Sequence, residues 1–328
     1  MARKKRTSKI QPSVRTLTFP IGQITSTTTR KYIDLSQCAS LVNRRFYRQG
    51  INWAVAGFTL HTSAGAGSIQ ISKIPNTWVS GNGWMKSFSL WNKQQMDAIA
   101  ASGSESAVAA FRDFKIHLDE QHVTNGFGQN LLPGTKDDLG VWNLYTPGEW
   151  EASEIVIPNF TAPGVNKEFL LHMVGKNTNS ATTSRGLIEG YSHSRAFPQS
   201  PDPVSPNIHG TDNWMREMFD VGEDTGDITL NATTRNDNLP YPQEQYPGGE
   251  VQASSPQYHD QLNITATSVS GKTSARGTNV PCGLLKLRID QSLGALPSGS
   301  EYTPISWLQI HLVPGTHKGY LCETMQDM

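Results

Sequence analysis

Arg3, Lys4, Lys5, Arg6, Lys9 and Arg15 stand together at the start of the chain, and the first acidic residue is Asp34. Cations on a segment without hydrophobic periodicity can track a phosphate backbone without fixed geometry, releasing counterions as they do so. A second basic stretch, Asn43-Arg44-Arg45-Phe46-Tyr47-Arg48-Gln49, interleaves cations with aromatic rings. Phosphate contacts from Arg44, Arg45 and Arg48 and base stacking from Phe46 and Tyr47 are then available from one segment. The pattern is equally served by Phe46 and Tyr47 in a core with the arginines on an outer face. A basic terminus also suits a nuclear address or a solubilising tail, and the former is compatible with nucleic-acid binding.

Other chemistries find little support. Gly271-Lys272-Thr273 resembles the end of a phosphate-binding loop, but position 266 is Ala where the motif needs Gly, and no helix pattern follows. There is no Gly-x-Ser-x-Gly nucleophile elbow. The nine histidines form no HExxH pair, and His117 and His122, five apart, converge on neither a helix nor a strand face; we read them as satisfied or surface histidines. Asp220, Glu223, Asp224 and Asp227 surround two glycines and offer oxygen ligands to a hard cation, without EF-hand spacing; a solvated loop is the simpler reading. Glu149, Glu151 and Glu154 contain no demonstrable glycosidase pair, because sequence does not fix a carboxylate separation. No catalytic residue, metal ligand or cofactor is therefore assigned, and the chain is expected not to be an enzyme.

Charge is unevenly distributed. Of 28 Lys and Arg, eleven fall in residues 1–50 against Asp34 alone; the other 278 residues hold 17 basic and 27 acidic groups. That is a basic arm on a mildly acidic body. Three scattered cysteines, Cys38, Cys282 and Cys322, make no disulfide framework or zinc site and fit buried small side chains in a reducing compartment. No apolar run is long enough to span a membrane, and the basic start lacks the apolar segment of a signal peptide, so a soluble, non-secreted protein is expected. The Asn159, Asn231 and Asn263 glycosylation triplets carry no meaning in that setting.

The elements that must position these groups are mostly strands. Period-two alternation marks 114–118, 262–267, 285–289 and 308–312, with weaker candidates at 14–19, 53–61, 68–74, 142–145, 154–157 and 168–174. Two short helices are predicted: one beginning with a capping box at Asn92–Gln95 and ending at Gly103, the other over 212–219. Long Pro- and Gly-rich loops cover 196–212 and 236–257. The expectation is an all-β, antiparallel β-sandwich in a single domain over 14–328, preceded by a disordered arm over 1–13.

A short basic arm leading into a strand-rich body with long Pro/Gly loops resembles the capsid proteins of small circular single-stranded DNA viruses, the circovirus-like group. The resemblance covers the whole chain as an architecture. It implies an eight-stranded jelly roll, self-assembly into an icosahedral shell (sixty subunits, T=1, in the simplest case), and an inward arm on the genome. Arg3, Lys4, Lys5, Arg6, Lys9 and Arg15 occupy the place of the family's Arg-rich arm, though this arm is shorter and less dominated by arginine. The implied partners are further copies of the chain, the viral genome and a host-cell receptor of unknown identity, with no membrane. The implied locations are the virion and, during assembly, the host nucleus or cytoplasm. Trp78, Trp84, Trp91, Trp150 and Trp214 lie in or beside expected loops, where they serve as subunit contacts or as core. Three alternatives stay open: the coat protein of a small RNA virus, a soluble carbohydrate-binding β-sandwich, and a glycoside-active enzyme using the acidic loops.

Overall fold

The computed structural model describes residues 12–21, 28–62, 67–103, 112–139, 141–159, 164–178, 184–194, 255–265, 268–290 and 306–328. Arg3, Lys4, Lys5, Arg6 and Lys9, the helix expected at 212–219 with Trp214, the acidic loop 220–227 and nearly all of both Pro-rich loops lie outside the described residues. The chain divides into two compact units. The first comprises residues 1–73, 128–150 and 258–324; the second comprises 74–127, 151–257 and 325–328.

In chain order the elements are β1 (Thr16–Ile21), β2 (Thr28–Asp34), α1 (Leu35–Asn43), β3 (Ile51–Thr62), β4 (Gly67–Lys73), α2 (Trp78–Ser102) and α3 (Glu120–Asn125). There follow β5 (Gly134–Lys136), β6 (Trp142–Leu144), β7 (Glu154–Pro158), β8 (Asn166–His172), β9 (Ser184–Gly186), α4 (Leu187–Ser194) and β10 (Gln257–Ile264). The chain closes with β11 (Lys272–Val280), β12 (Leu284–Asp290), β13 (Ser306–Leu312), β14 (Pro314–Gly315), β15 (Gly319–Tyr320) and β16 (Cys322–Thr324).

The first unit is a β-sandwich. One sheet runs β1–β13–β3–β11, with β16 paired to β3; the other runs β10–β4–β12–β2. The pairs with a defined register are antiparallel. Alternation drives the arrangement, since successive side chains point to opposite faces. In β13, Leu308, Ile310 and Leu312 are buried while Trp307, Gln309 and His311 are half-exposed. Leu17, Phe19, Phe58, Leu60, Leu308 and Ile310 from one sheet meet Ile33, Ile69, Ile71, Leu262, Leu285 and Leu287 from the other in one core. A hairpin of β5 and β6 completes this unit. β2 and β11 were not expected: TTRKYID and KTSARGTNV carry too few apolar residues to show a period.

The second unit holds α2, α3, α4 and the β7–β8–β9 sheet. Here two expectations are corrected. The helix begins at Trp78 rather than Asn92 and runs for 25 residues, so the capping box at Asn92 does not form; its end at Gly103, φ 67°, is as expected. Trp84, Phe88 and Trp91 recur at helical spacing and pack around Phe114. Gly81 is required by close approach, because a Cβ there would lie 2.7 Å from the Met325 carbonyl oxygen. The second correction concerns 114–118, which reads as the cleanest half-buried strand. All five residues are buried, and only His117 makes a ladder-type bridge, to His172. The segment threads between Ser153 and the Leu171–Val174 stretch, bonding both, so its polar residues are enclosed as fully as its apolar ones.

Candidate nucleic-acid interface

Asp34 ends β2 and caps α1, its Oδ1 accepting from the Ser36 and Gln37 amides at 2.9 and 3.2 Å. Its Oδ2 accepts from Gln49 Nε2 and Trp150 Nε1, both at 3.0 Å. The carboxyl is fully buried, and burial raises its pKa to about 6 against the lowering effect of the four donors. Burial, reinforced by the Asp34 charge, also raises the Cys38 and Cys282 thiols; both are buried, Cys322 is half-buried, and all three are free. This network holds the C-terminal end of the 44–50 loop: Ser36 Oγ donates to the Arg48 carbonyl at 3.1 Å while Gln49 donates to the Asp34 carboxyl.

The root of the basic arm is tied to the same place. The Val14 amide donates to Asn43 Oδ1 at 3.0 Å, the Tyr320 hydroxyl donates to the Val14 carbonyl, and Arg45 Nη1 donates to the Pro12 carbonyl at 3.1 Å. Arg15 is exposed as β1 begins. Arg44, in the left-handed region at φ 54°, terminates α1 and places its guanidinium 5.9 Å from the Tyr145 ring. Arg48 is exposed, 5.7 Å from the Phe46 ring. The two basic elements read separately in the sequence thus meet through Asn43 and Arg45, which bond the Val14 amide and the Pro12 carbonyl, with Arg44 between them and Arg48 exposed farther along the same loop. The aromatic half of the 43–49 pattern divides. Tyr47 is fully buried against Trp53 and Tyr320, its hydroxyl donating to the Lys318 carbonyl at 3.0 Å, so it offers no stacking face. Phe46 is half-buried, 6.0 Å from Trp150.

Beside the root lies a groove of about 430 Å³ between the β5–β6 hairpin and the outer face of the first sheet, lined by Val14, Thr16, Lys136, Trp142, Tyr145 and Trp307 among others. Trp307 stacks on His61 at 5.2 Å and 9°, faces Trp142 at 6.2 Å and has the Lys136 ammonium 5.9 Å from its ring. The adjoining face is a hydrogen-bonded polar ladder: His311 meets Thr16 Oγ1 at 3.2 Å and Thr59 Oγ1 at 3.0 Å, and His61 meets Gln309 Oε1 at 3.1 Å. Aromatic rings beside cations on a neutral polar face suit a nucleic-acid strand. At the hairpin tip Asp137 Oδ1 accepts from the Val141 amide at 2.7 Å. Lys136, Trp142, Tyr145 and Trp307 were not singled out in the sequence. The available signal was Trp307 at a solvent-facing position of the alternating β13.

Elsewhere the structure revises the reading of two histidines. His117 and His122 do converge, ring centroids 4.9 Å apart, both buried, with His117 also stacked on Phe127 at 4.4 Å. Burial lowers His117 to about 3 and buried His172 to about 4. Among the described residues no group of three or more His, Cys, Asp or Glu is disposed to hold a metal ion. Trp84, Trp91 and Trp150 are buried within their units, and the first two belong to α2 rather than to loops. Glu149, Glu151 and Glu154 are exposed. No helix among the described residues is long and apolar enough to cross a membrane. Comparison of the chain with protein-family models, with curated proteins and with solved structures returns no match.

Proposed function

We propose that this chain is a viral coat protein, a jelly roll that assembles with copies of itself into an icosahedral shell and packages a nucleic-acid genome through its basic arm. The observation that carries the reading is the strand order. Numbered along the chain, the eight sandwich strands β1, β2, β3, β4, β10, β11, β12 and β13 lie as 1-8-3-6 in one sheet and 5-4-7-2 in the other. Neighbours therefore pair first with last, second with seventh, third with sixth and fourth with fifth. One long antiparallel hairpin, rolled so that its pairs alternate between two sheets, generates that order, and jelly rolls recur in capsid and lectin domains. The charge split favours the capsid branch, and the tethering of the arm's root to Asn43 and Arg45, on either side of Arg44, gives it a cationic exit. A circular single-stranded DNA genome and a sixty-subunit shell are the simplest form of the proposal.

The groove supports a second reading, because Trp142, Tyr145 and Trp307 are also the side chains on which sugars stack; a carbohydrate-binding sandwich would use them without the arm. Size-exclusion chromatography and electron microscopy of the full chain separate the two. Megadalton closed particles containing nuclease-protected nucleic acid are expected. A 36.0 kDa monomer under every assembly condition, binding glycans but not nucleic acid, would overturn the coat-protein reading.

A further inference from the structure

The outer face of the second sheet carries charge that neither the arm nor its root explains. β12 pairs with β2 so that Arg288 lies opposite Arg30 and Lys286 opposite Tyr32; on its other side Arg288 lies opposite Gln70 and Lys286 opposite Ser72. Leu285, Leu287 and Ile289 fill the core, so the alternate residues Lys286 and Arg288 lie on the other face of the sheet with Arg30, Gln70 and Ser72, and with Tyr32, which is itself buried. Arg30 and Arg288 are exposed, and the Lys286 ammonium sits 5.6 Å from the Tyr32 ring. Like charges directly opposite on an antiparallel pair are destabilising. Nothing described offsets this: among the described residues neither Arg30 nor Arg288 has an ion pair. Asp290 shares the parity at the end of β12, and its side chain lies outside the described residues.

We propose that this face is a phosphodiester-binding surface on the folded body, with Arg30 and Arg288 bridged by one phosphate and Lys286 beside it. A phosphate between two guanidinium groups converts the cross-strand repulsion into two charge-assisted hydrogen-bonded contacts, and the planar fork of arginine matches its oxygens. Gln70 and Ser72 add neutral donors on the same face. A protein partner is disfavoured, because this set exposes no apolar side chain to serve as the dry centre of a protein interface. Phosphate contact needs only cations and polar donors. The inference rests on the nucleic-acid-packaging reading and extends it from the arm to the body. The arm alone supplies limited charge: its six cations, Arg3, Lys4, Lys5, Arg6, Lys9 and Arg15, on each of sixty copies pair roughly 360 phosphates.

The test is a salt titration of full-length protein with a short single-stranded oligonucleotide, plotting the logarithm of affinity against that of salt concentration. Arg30→Gln with Lys286→Gln and Arg288→Gln is expected to lower the slope by roughly 0.7–1.4, at roughly 0.7 for the phosphate shared by the two arginines and as much again if Lys286 meets a second one. The variant Arg30→Lys with Arg288→Lys keeps the charge and is expected to keep most of the slope. An unchanged slope in the triple variant, with the same circular-dichroism spectrum as the parent, overturns the inference. Substituting Arg3, Lys4, Lys5 and Arg6 by Gln is the separate control on the packaging reading, which fails if neither variant alters binding. Loss of heparin binding with oligonucleotide binding intact in the triple variant would also overturn the inference, assigning the face to a sulfated glycan.

Discussion

Asp34 is a carboxyl with four N–H donors and no cation, enclosed where β2 turns into α1. Its folded pKa of about 6 lies above the ordinary 3.8, so the native state holds a proton that the unfolded chain has released between those values. Its contribution to stability is therefore fully present below about pH 3.8 and is lost as pH rises through 6. Asp34→Asn is expected to flatten that dependence in denaturant unfolding followed from pH 4 to 7.5. It also turns an Nδ2 donor toward the Trp150 and Gln49 donors, costing about 1–3 kcal/mol at neutral pH. His117 and His172 have the opposite sign. Burial keeps both neutral in the fold, so their contribution is complete above about pH 6.5 and is lost as pH falls toward 4 and 3. His172→Gln is expected to reduce the acid sensitivity of the second unit's amides in hydrogen exchange, with no effect on that of the first. Neither environment was legible in the sequence. Asp34 immediately precedes Leu35, Cys38, Ala39 and Val42, a cap before a helical stripe, but its carboxyl meets Gln49 and Trp150 only in the fold.

At the scale of elements, alternation exposed most of the sandwich, and its failures share one cause. β12 and β13 were readable because each shows one buried and one wet face. β11 hid because it is an edge strand with little to bury, and β2 because Lys31 occupies a core-facing position, opposite Leu287, where the alternation calls for an apolar residue. The 114–118 stretch misled in the other direction, since an enclosed extended segment can alternate in type while burying everything. α2 was read from its polar second half because Gly81 and Gly83 disguise the first, and the reason for Gly81 is a contact with the distant Met325. Gly81→Ala is expected to destabilise the second unit by about 1–3 kcal/mol, by forcing that approach apart, and to raise hydrogen exchange at residues 325–328. The β5–β6 hairpin makes a separate prediction. Trp142 is half-exposed at the groove, so Trp142→Ala is expected to leave the melting temperature nearly unchanged. If a base stacks there, oligonucleotide affinity should fall about five- to 150-fold in a fluorescence titration, as about 1–3 kcal/mol requires.

On the scale of the whole molecule, the two units answer acid in opposite senses. Between about pH 4 and 6, protonation favours the folded form at Asp34 in the first unit and disfavours it at His117 and His172 in the second. Hydrogen exchange at pH 4.5 should therefore show residues 112–127 and 164–178 losing protection ahead of β3, β12 and β13. One more consequence follows from the arm's attachment. β1 is the outermost strand of its sheet, joined to β13 in antiparallel register from Thr16 to Ile21. A pull on the chain directed along β1 would load those bonds together in shear instead of unzipping them singly. The ties from Pro12 to Arg45 and from Val14 to Asn43 and Tyr320 take up the first slack, spreading tension into α1 and the closing strands before β1 can slip.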